Sequence, residues 1–257
     1  MKVSEGTVVV TGATRGIGRA VLDAILASGG RVVAVATNQA ALEALVAERG
    51  DRIRAVPADL GATDTLPEVA QACIEAFGEI DGLVNCAGIA RYEPVGAIAP
   101  TSVDAQLRVN LVAPLLLAQS FAEHLRDRGG SIVNVSSTLS LRPAEFTSVY
   151  AATKAGLNAL TCSLALELAP RRIRVNAVLP GGVDTDMLRA PRLRPGESLG
   201  AEALEQRVAS QLTALAALHP LGRLGRPDEI AEVVLAVLDR EWQTGSLVTI
   251  DGGLSLK

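Results

Sequence analysis

Tyr150 and Lys154 stand four residues apart in the segment "VYAATKAG". On a helix that spacing puts them one turn apart on a single face. Only 2% of the chain is aromatic, and it holds two tyrosines, so this tyrosine spends a scarce residue type. A phenol titrates near ~10 and exchanges protons poorly at neutrality. An ammonium beside it favours the phenolate and lowers that value. The same ammonium can bond a ribose hydroxyl. Ser137, 13 residues before the tyrosine, can donate a hydrogen bond to a substrate oxygen and steady charge that develops there. These are the parts needed to reduce a carbonyl: hydride at carbon from a cofactor, proton at oxygen from the protein. A tyrosine and a lysine four apart are also an ordinary surface pair, so the reading needs a second pattern.

That pattern is "TGATRGIG", residues 11–18. It follows a strand-like run and opens a helical one. Gly12 permits a tight turn, while Gly16 and Gly18 allow backbone to approach a pyrophosphate and a helix to pack closely. Thr14, Arg15 and Ile17 fill the loop, and the helix start offers unpaired N–H groups to phosphates. The end of the second strand bears on cofactor choice. A carboxylate there accepts bonds from the ribose hydroxyls of NAD; this chain has Thr37 and Asn38. With no carboxylate to repel a 2′-phosphate and Arg15 available to bind it, NADP(H) is favoured and NAD(H) is allowed. Asp59 suits the adenine edge, with Leu60 against the ring, although an Asp there also serves as a turn or cap residue. "NCAG" places Asn85, Ala87 and Gly88 at a small-residue turn beside the cofactor, with Cys86 packed close.

The composition narrows the alternatives. The chain has 257 residues, 49% of them hydrophobic, and a net charge of −4. That length suits one large domain with a substantial core, and the charge argues against nucleic acid as a main partner. Cys73, Cys86 and Cys162 are odd in number and widely spaced, suggesting buried free thiols rather than disulfides or a metal site. No apolar run suits a membrane span, and no room for a signal peptide precedes the first strand, so a reducing cytoplasm is expected. His124 and His219 fit no catalytic triad or metal constellation.

The elements that must position these residues alternate. Strands are expected at residues 7–11, in "RVVAVA", in "IRAVPADL" ending at Asp59, in "IDGLVNCAG", "GGSIVNVSS", "IRVNAVLPGG" and "SLVTIDGG". Helices are expected from about Ile17 to Ser28, in "QAALEALVAE" and "TLPEVAQACIEAFG", over 102–127 with a bend near Pro114, from about Ser148 to Ala169, and in "PDEIAEVVLAVLD". This is an α/β pattern of the Rossmann type: a doubly wound, seven-stranded parallel sheet with helices on both faces, in a single domain of residues 1–257. Residues 184–222 break the rhythm, with "PRLRPGE" as a loop and "EALEQRVASQLTALAAL" as one or two amphipathic helices.

The motifs together resemble the classical short-chain dehydrogenase/reductase family. TGxxxGxG matches Thr11 to Gly18, and NNAG matches Asn85 to Gly88 with Cys86 in place of the second asparagine. A structural asparagine matches Asn110, the catalytic serine matches Ser137, and YxxxK matches Tyr150 and Lys154. The PG motif matches Pro180 and Gly181, followed past Val183 by Thr185. The resemblance implies catalysis by Asn110, Ser137, Tyr150 and Lys154, with Asn110 supporting a helix bulge. It selects Ser137 over Ser136, and implies cofactor contacts through Tyr150, Lys154 and the Pro180–Thr185 segment. It also implies a homotetramer built on the two long helices and the C-terminal strand region; small and apolar residues on more than one face of the 148–169 helix give a physical motive.

The substrate is expected beyond the strand ends under a lid of residues 184–222. Plausible pocket residues are Ser137, Thr138, Leu139, Leu141, Glu145, Tyr150, Gly182, Met187 and Leu188, a largely apolar set. Arg91 stands on that side and would suit an anionic or acyl-carrier-linked substrate, although loop arginines are common. "HPLGRLGRPDEIAEVV" and "TGSLVTIDGG" resemble the 3-oxoacyl-[acyl-carrier-protein] reductase branch, whereas the longer lid argues for a specialised ketone. Three activities follow: reduction of a hydrophobic or 3-oxoacyl-type ketone, an NAD-dependent secondary-alcohol or sugar dehydrogenase, and a dinucleotide-binding regulator without catalysis. A regulator would have little reason to keep Ser137, Tyr150 and Lys154 in register.

Overall fold

A computed structural model describes residues 2–125, 129–193 and 197–256. Seven parallel strands form one sheet in the order β3-β2-β1-β4-β5-β6-β7. They are β1 (Thr7–Thr11), β2 (Arg31–Ala36), β3 (Ile53–Pro57), β4 (Gly82–Asn85), β5 (Ser131–Val135), β6 (Arg174–Pro180) and β7 (Leu247–Ile250). The chain winds outward one way from β1 through β2 and β3, then returns to place β4 on the other side of β1. The crevice between β1 and β4 is therefore the switch point at which such sheets bind ligands.

β1, β4 and β5 are buried along their whole length, because helices cover both faces. Strand alternation divides the core. Val8 and Val10 join α1 (Gly16–Ser28), α2 (Gln39–Arg49) and α9 (Pro227–Asp239) on one face. Val9 points to the other, against α3 (Leu66–Phe77), α5 (Ala113–Leu125) and α6 (Ser148–Leu168). α9 begins with Pro227 in its first turn, and the Glu229 side chain accepts from the Arg226 N–H.

The expected helix over 102–127 is instead two helices. α4 (Pro100–Leu107) passes through a π-turn at Arg108–Val112 into α5. The break is centred on Asn110, and Pro114 sits buried in the first turn of α5, where a proline is tolerated. Residues 126 and 127 of that expected helix, and 194–196 of the expected loop, lie outside the described residues. The third strand stops at Pro57, leaving Asp59 on the turn beyond it. In the 184–222 stretch, α7 (Asp186–Arg189) is one short turn and α8 (Ala201–Leu218) one continuous helix.

Candidate active site

The C-terminal ends of β1, β2, β4, β5 and β6 open into one cleft of about 620 Å³. Gly12, Thr14, Arg15, Gly16, Ile17 and Gly18 form its floor on the β1 side. Gly12 takes a left-handed backbone conformation (φ +67°), and a Cβ there would lie 2.9 Å from the Ala87 Cα. A Cβ at Gly18 would run into the Gly12 carbonyl oxygen. The loop therefore closes against the turn after β4 only with glycine at both places. Thr11 joins the two turns: its hydroxyl oxygen accepts from the Cys86 and Ala87 N–H groups, each at 3.0 Å. The resulting cradle, bare backbone at the start of α1, fits a dinucleotide pyrophosphate.

On the β5 side Ser137, Tyr150 and Lys154 share the cleft wall. The Leu139 N–H donates to Ser137 Oγ at 3.1 Å, fixing that hydroxyl. Ser137 and Tyr150 are neighbours on that wall, and the serine hydroxyl favours the phenolate form of the tyrosine. Ser136 also borders the cleft, but its hydroxyl is tied to the Lys154 carbonyl of α6 at 3.2 Å. The chain enters α6 through Phe146, a non-glycine residue in the left-handed region (φ +64°). Its carbonyl accepts from the Glu93 N–H at 2.9 Å, which ties the loop carrying Tyr92 to the start of α6.

Lys154 is 3% exposed. Its Nζ donates to the Val135 carbonyl at 2.8 Å and lies 5.8 Å from the centre of the Tyr150 ring. Burial lowers its pKa to about 8. Burial also pushes the neighbouring Cys86 thiol up to about 12, so Cys86 is uncharged near neutrality and offers the ammonium no counter-charge. Tyr150 departs from expectation. Burial raises its pKa, with Tyr92 adding to the rise and the Ser137 hydroxyl opposing it. The depression expected from Lys154 is not what prevails, because loss of contact with water disfavours the phenolate more strongly.

Asn110 lies behind this wall, fully buried in the π-turn. Its Oδ1 accepts from the Ile89 N–H at 2.9 Å, and its Nδ2 donates to the Ile89 carbonyl at 2.8 Å and to Thr153 Oγ1 at 3.1 Å. The widened turn delivers an amide to the segment after β4 and to α6 together. A Cβ on Gly88 would meet Asn110 Oδ1 at 3.4 Å and Lys154 Nζ at 3.6 Å. Asn110 thus positions the strand exit against the lysine and does not reach the cleft surface.

Thr37, Asp59, Leu60, Ala87, Gly88, Leu139, Pro180, Gly181, Gly182, Val183, Thr185, Met187 and Leu188 also border the cleft, as do Thr138 and Cys86. Besides Asn110, five expected residues do not. Asn38 is turned onto α2, where its Oδ1 caps the helix by accepting from the Ala41 N–H at 3.0 Å. Asn85 points beneath the sheet into a buried chain, donating to Asn134 at 2.9 Å, which donates to Thr161 at 2.8 Å. Glu145 lies exposed on the turn before α6, away from the cleft. Leu141 and Arg91 are likewise exposed and off the wall. Asp59 is on the wall, but its Oδ1 already accepts from the Gly61 N–H at 2.9 Å as a turn residue.

Three further residues complete the wall: His219, within the expected lid stretch 184–222, Tyr92, next to Arg91 on the expected substrate side, and Arg192, which no motif singles out. His219 is buried between the cleft and a second cavity of about 220 Å³. Its Nε2 accepts from the Gly182 N–H at 3.0 Å, and its Nδ1 lies 2.8 Å from the Leu215 carbonyl, so the ring carries its proton on Nδ1. It braces the turn after β6. Tyr92 and Arg192 pack together on the wall, a pairing no local pattern announces. Among the described residues, no cluster of His, Cys, Asp and Glu is arranged to hold a metal, and no helix is long and apolar enough to cross a membrane.

The model of the short chain dehydrogenase family matches residues 6–195. The chain belongs to that family. A 3-oxoacyl-[acyl-carrier-protein] reductase of Thermotoga maritima is 36% identical over 260 residues, covering 99% of each chain. An L-xylulose reductase of Homo sapiens is 38% identical over 250 residues, covering 96% of this chain and 95% of that one. The solved structure of an aldohexose dehydrogenase of Thermoplasma acidophilum superposes with a TM-score of 0.86 at 28% identity, covering 99% of this chain and 96% of that chain. Fold, cleft and relatives agree on an NAD(P)-dependent oxidoreductase of the short-chain type. The reading as a regulator without catalysis is set aside.

Proposed function

We propose that the chain is an NADPH-preferring ketone reductase, acting on a hydrophobic or 3-oxoacyl-type ketone with Tyr150 as proton donor. The observation that carries this is the placement of Ser137, Tyr150 and the buried Lys154 across one cleft from the glycine cradle. The cradle, Thr37, Asp59 and Leu60 would hold the adenosine half of the cofactor, and Lys154, Tyr150 and the Pro180–Thr185 segment the nicotinamide half. When bound, a reduced nicotinamide supplies hydride to the carbonyl carbon, and its oxidised form accepts hydride in the reverse direction.

Ser137 holds the substrate oxygen and donates to it as negative charge builds. Tyr150 gives its proton to that oxygen. A phenol kept protonated by burial has that proton in place at neutral pH, which favours reduction. Lys154, brought down to about 8, exchanges protons in the working range and restores the phenol. For NADPH the support is the absence of a carboxylate at Thr37 and the presence of Arg15 on the wall. Arg15 pairs with Asp186 at 3.8 Å, with both side chains mostly exposed; such a pair is weak and releases readily.

The apolar lining from α7 and α8, including Met187, Leu188, Leu215 and Leu218, supports their role as a lid over a hydrophobic ketone. Residues 1–257 then work as one catalytic unit, and a homotetramer is its proposed assembly. The sugar reading is the second, favoured by the similarity to an L-xylulose reductase. A spectrophotometric panel of ketones, sugars and secondary alcohols with NADPH, NADH and their oxidised forms tests the assignment. The expected result is ketone-dependent NADPH oxidation; turnover confined to sugars with NAD would overturn it.

A further inference from the structure

Arg192 follows α7 and lies on the cleft wall. Its guanidinium carbon sits over the Tyr92 ring, 3.7 Å from the ring centre, so the ring supports the cation. Tyr92 is in turn an electrostatic neighbour of Tyr150, so the pair stands beside the proton donor.

The position of Arg192 is built. Gln211 of α8 accepts from the Arg192 N–H at 3.1 Å, and its amide donates to the Leu188 carbonyl at 2.8 Å and the Ala190 carbonyl at 3.1 Å. One glutamine thus clamps the backbone from Leu188 to Arg192. The nearby acids are engaged elsewhere: Asp184 holds Arg189 at 2.6 Å, and Glu197 holds Arg207 at 2.8 Å. Arg192 Nε is buried and has no hydrogen-bond partner among the described residues. Buried donors in folded proteins are nearly always satisfied. The ring contact uses none of the guanidinium N–H donors, whose planar fork suits a carboxylate.

The geometry points to Arg192 as a substrate-recognition residue: set over the Tyr92 ring and pinned by Gln211, it receives a carboxylate carried by the ketone, so the preferred substrates are apolar oxo acids and the matching hydroxy acids. This rests on the ketone-reductase reading and narrows it. Leu139, Met187, Leu188 and Leu215 line the same cleft as Arg192. A short hydrocarbon chain ending in one anion complements that arrangement. The same acyl group presented as a neutral ester does not.

The test compares oxohexanoates bearing the ketone at carbon 3, 4 or 5, each against its methyl ester. For at least one position the wild type should favour the acid about ten- to a hundredfold in kcat/KM, the range of one charge-assisted contact. In Arg192→Gln the ratio should fall to near one, chiefly through KM of the acid. Arg192→Lys, which keeps the charge and loses the planar fork, should retain part of it. Calorimetry with hexanoate and hexanamide supplies a readout independent of turnover: the wild type should prefer hexanoate, and Arg192→Gln should not. Equal acid and ester activity in the wild type, or a ratio unchanged in Arg192→Gln, overturns the inference while leaving ketone reduction standing. Absence of any ketone turnover, with hexanoate binding still dependent on Arg192, overturns ketone reduction and keeps the recognition role.

Discussion

Lys154 holds an ammonium where water hardly reaches it, with the Val135 carbonyl as hydrogen-bond acceptor at 2.8 Å. Its pKa falls from 10.5 to about 8 through burial. Each tenfold change in proton affinity is worth about 1.4 kcal/mol, so the fall represents on the order of 3 kcal/mol held against the fold. The sign follows from which state binds the proton more tightly. Below pH 8 both folded and unfolded lysine are protonated, and the folded chain carries the whole burial penalty. Between about 8 and 10.5 the folded lysine has released its proton and the unfolded one has not, so stability rises with pH. Above 10.5 both are neutral and the contribution is constant.

Lys154→Met abolishes this titration. The absolute stability of the variant mixes in the lost bond to Val135, but the pH dependence of the difference does not. Urea unfolding of both proteins, at one protein concentration and without added dinucleotide, gives the required pairs of free energies. Wild type minus variant should rise by on the order of 3 kcal/mol between about pH 7 and pH 10.5, with most of the rise above 8. A difference that stays flat across that interval would show that the fold does not disfavour the ammonium, and the account of Lys154 as a destabilised proton reservoir would fail.

Tyr150→Phe should keep the fold and lose at least about a hundredfold in kcat, the scale of a positioned proton donor; steady-state turnover near wild type would remove Tyr150 from the reaction. Asn110→Leu strips the partners from the Ile89 N–H and carbonyl and from Thr153, and should cost on the order of 2–4 kcal/mol, read as a fall in urea midpoint. Thr37→Asp should weaken NADPH by charge repulsion and move the ratio of kcat/KM values toward NADH, whereas a wild type that already prefers NADH would defeat the cofactor assignment. Leu166 on α6 is 81% exposed and Leu256 at the C-terminal end is 88% exposed; a tetramer would bury both, and light scattering after gel filtration should return four times the chain mass. A fully active monomer at micromolar concentration would refute that assembly.

What the sequence made legible were features whose cause is local. Strand alternation, the glycine loop and the Tyr150–Lys154 turn are set by neighbours a few residues away, and the parallel order followed from the βα rhythm. Side-chain direction at the ends of strands was not local. Asn38 could face a ribose or cap a helix, and the free N–H of Ala41 decided it. Asn85 could turn to the cleft or beneath the sheet, and Asn134 in the paired register of β5 drew it under. The sequence pattern places the bend in the expected helix over 102–127 near Pro114, the usual cause, while the family resemblance implies a bulge at Asn110. The cause lies in Asn110, whose amide is satisfied by Ile89 and Thr153, residues far away in the chain.

The same distinction accounts for Tyr92, Arg192 and His219. Each belongs to a segment without a periodic signal, and each acquires its place from a partner on another element. Gln211 fixes the backbone at Arg192, the Phe146 carbonyl anchors the loop after Tyr92, and the Leu215 carbonyl sets the proton of His219. The catalytic wall is assembled from the end of β5 and the first turns of α6, which the sheet fixes, and these are the positions with recognisable spacing. The substrate wall is assembled from side-chain clamps between α7, α8 and the segment after β4, whose geometry depends on long-range pairs. A fold of this kind can hold its chemistry constant while single substitutions such as Arg192 or Gln211 re-aim the substrate side, so selectivity should respond to those clamps and the proton transfer should not. Combining Arg192→Gln with Tyr150→Phe examines that separation: their effects on kcat/KM for the acid should multiply within about twofold, as for independent sites, and strong non-additivity would mean that Tyr92 couples recognition to the proton donor.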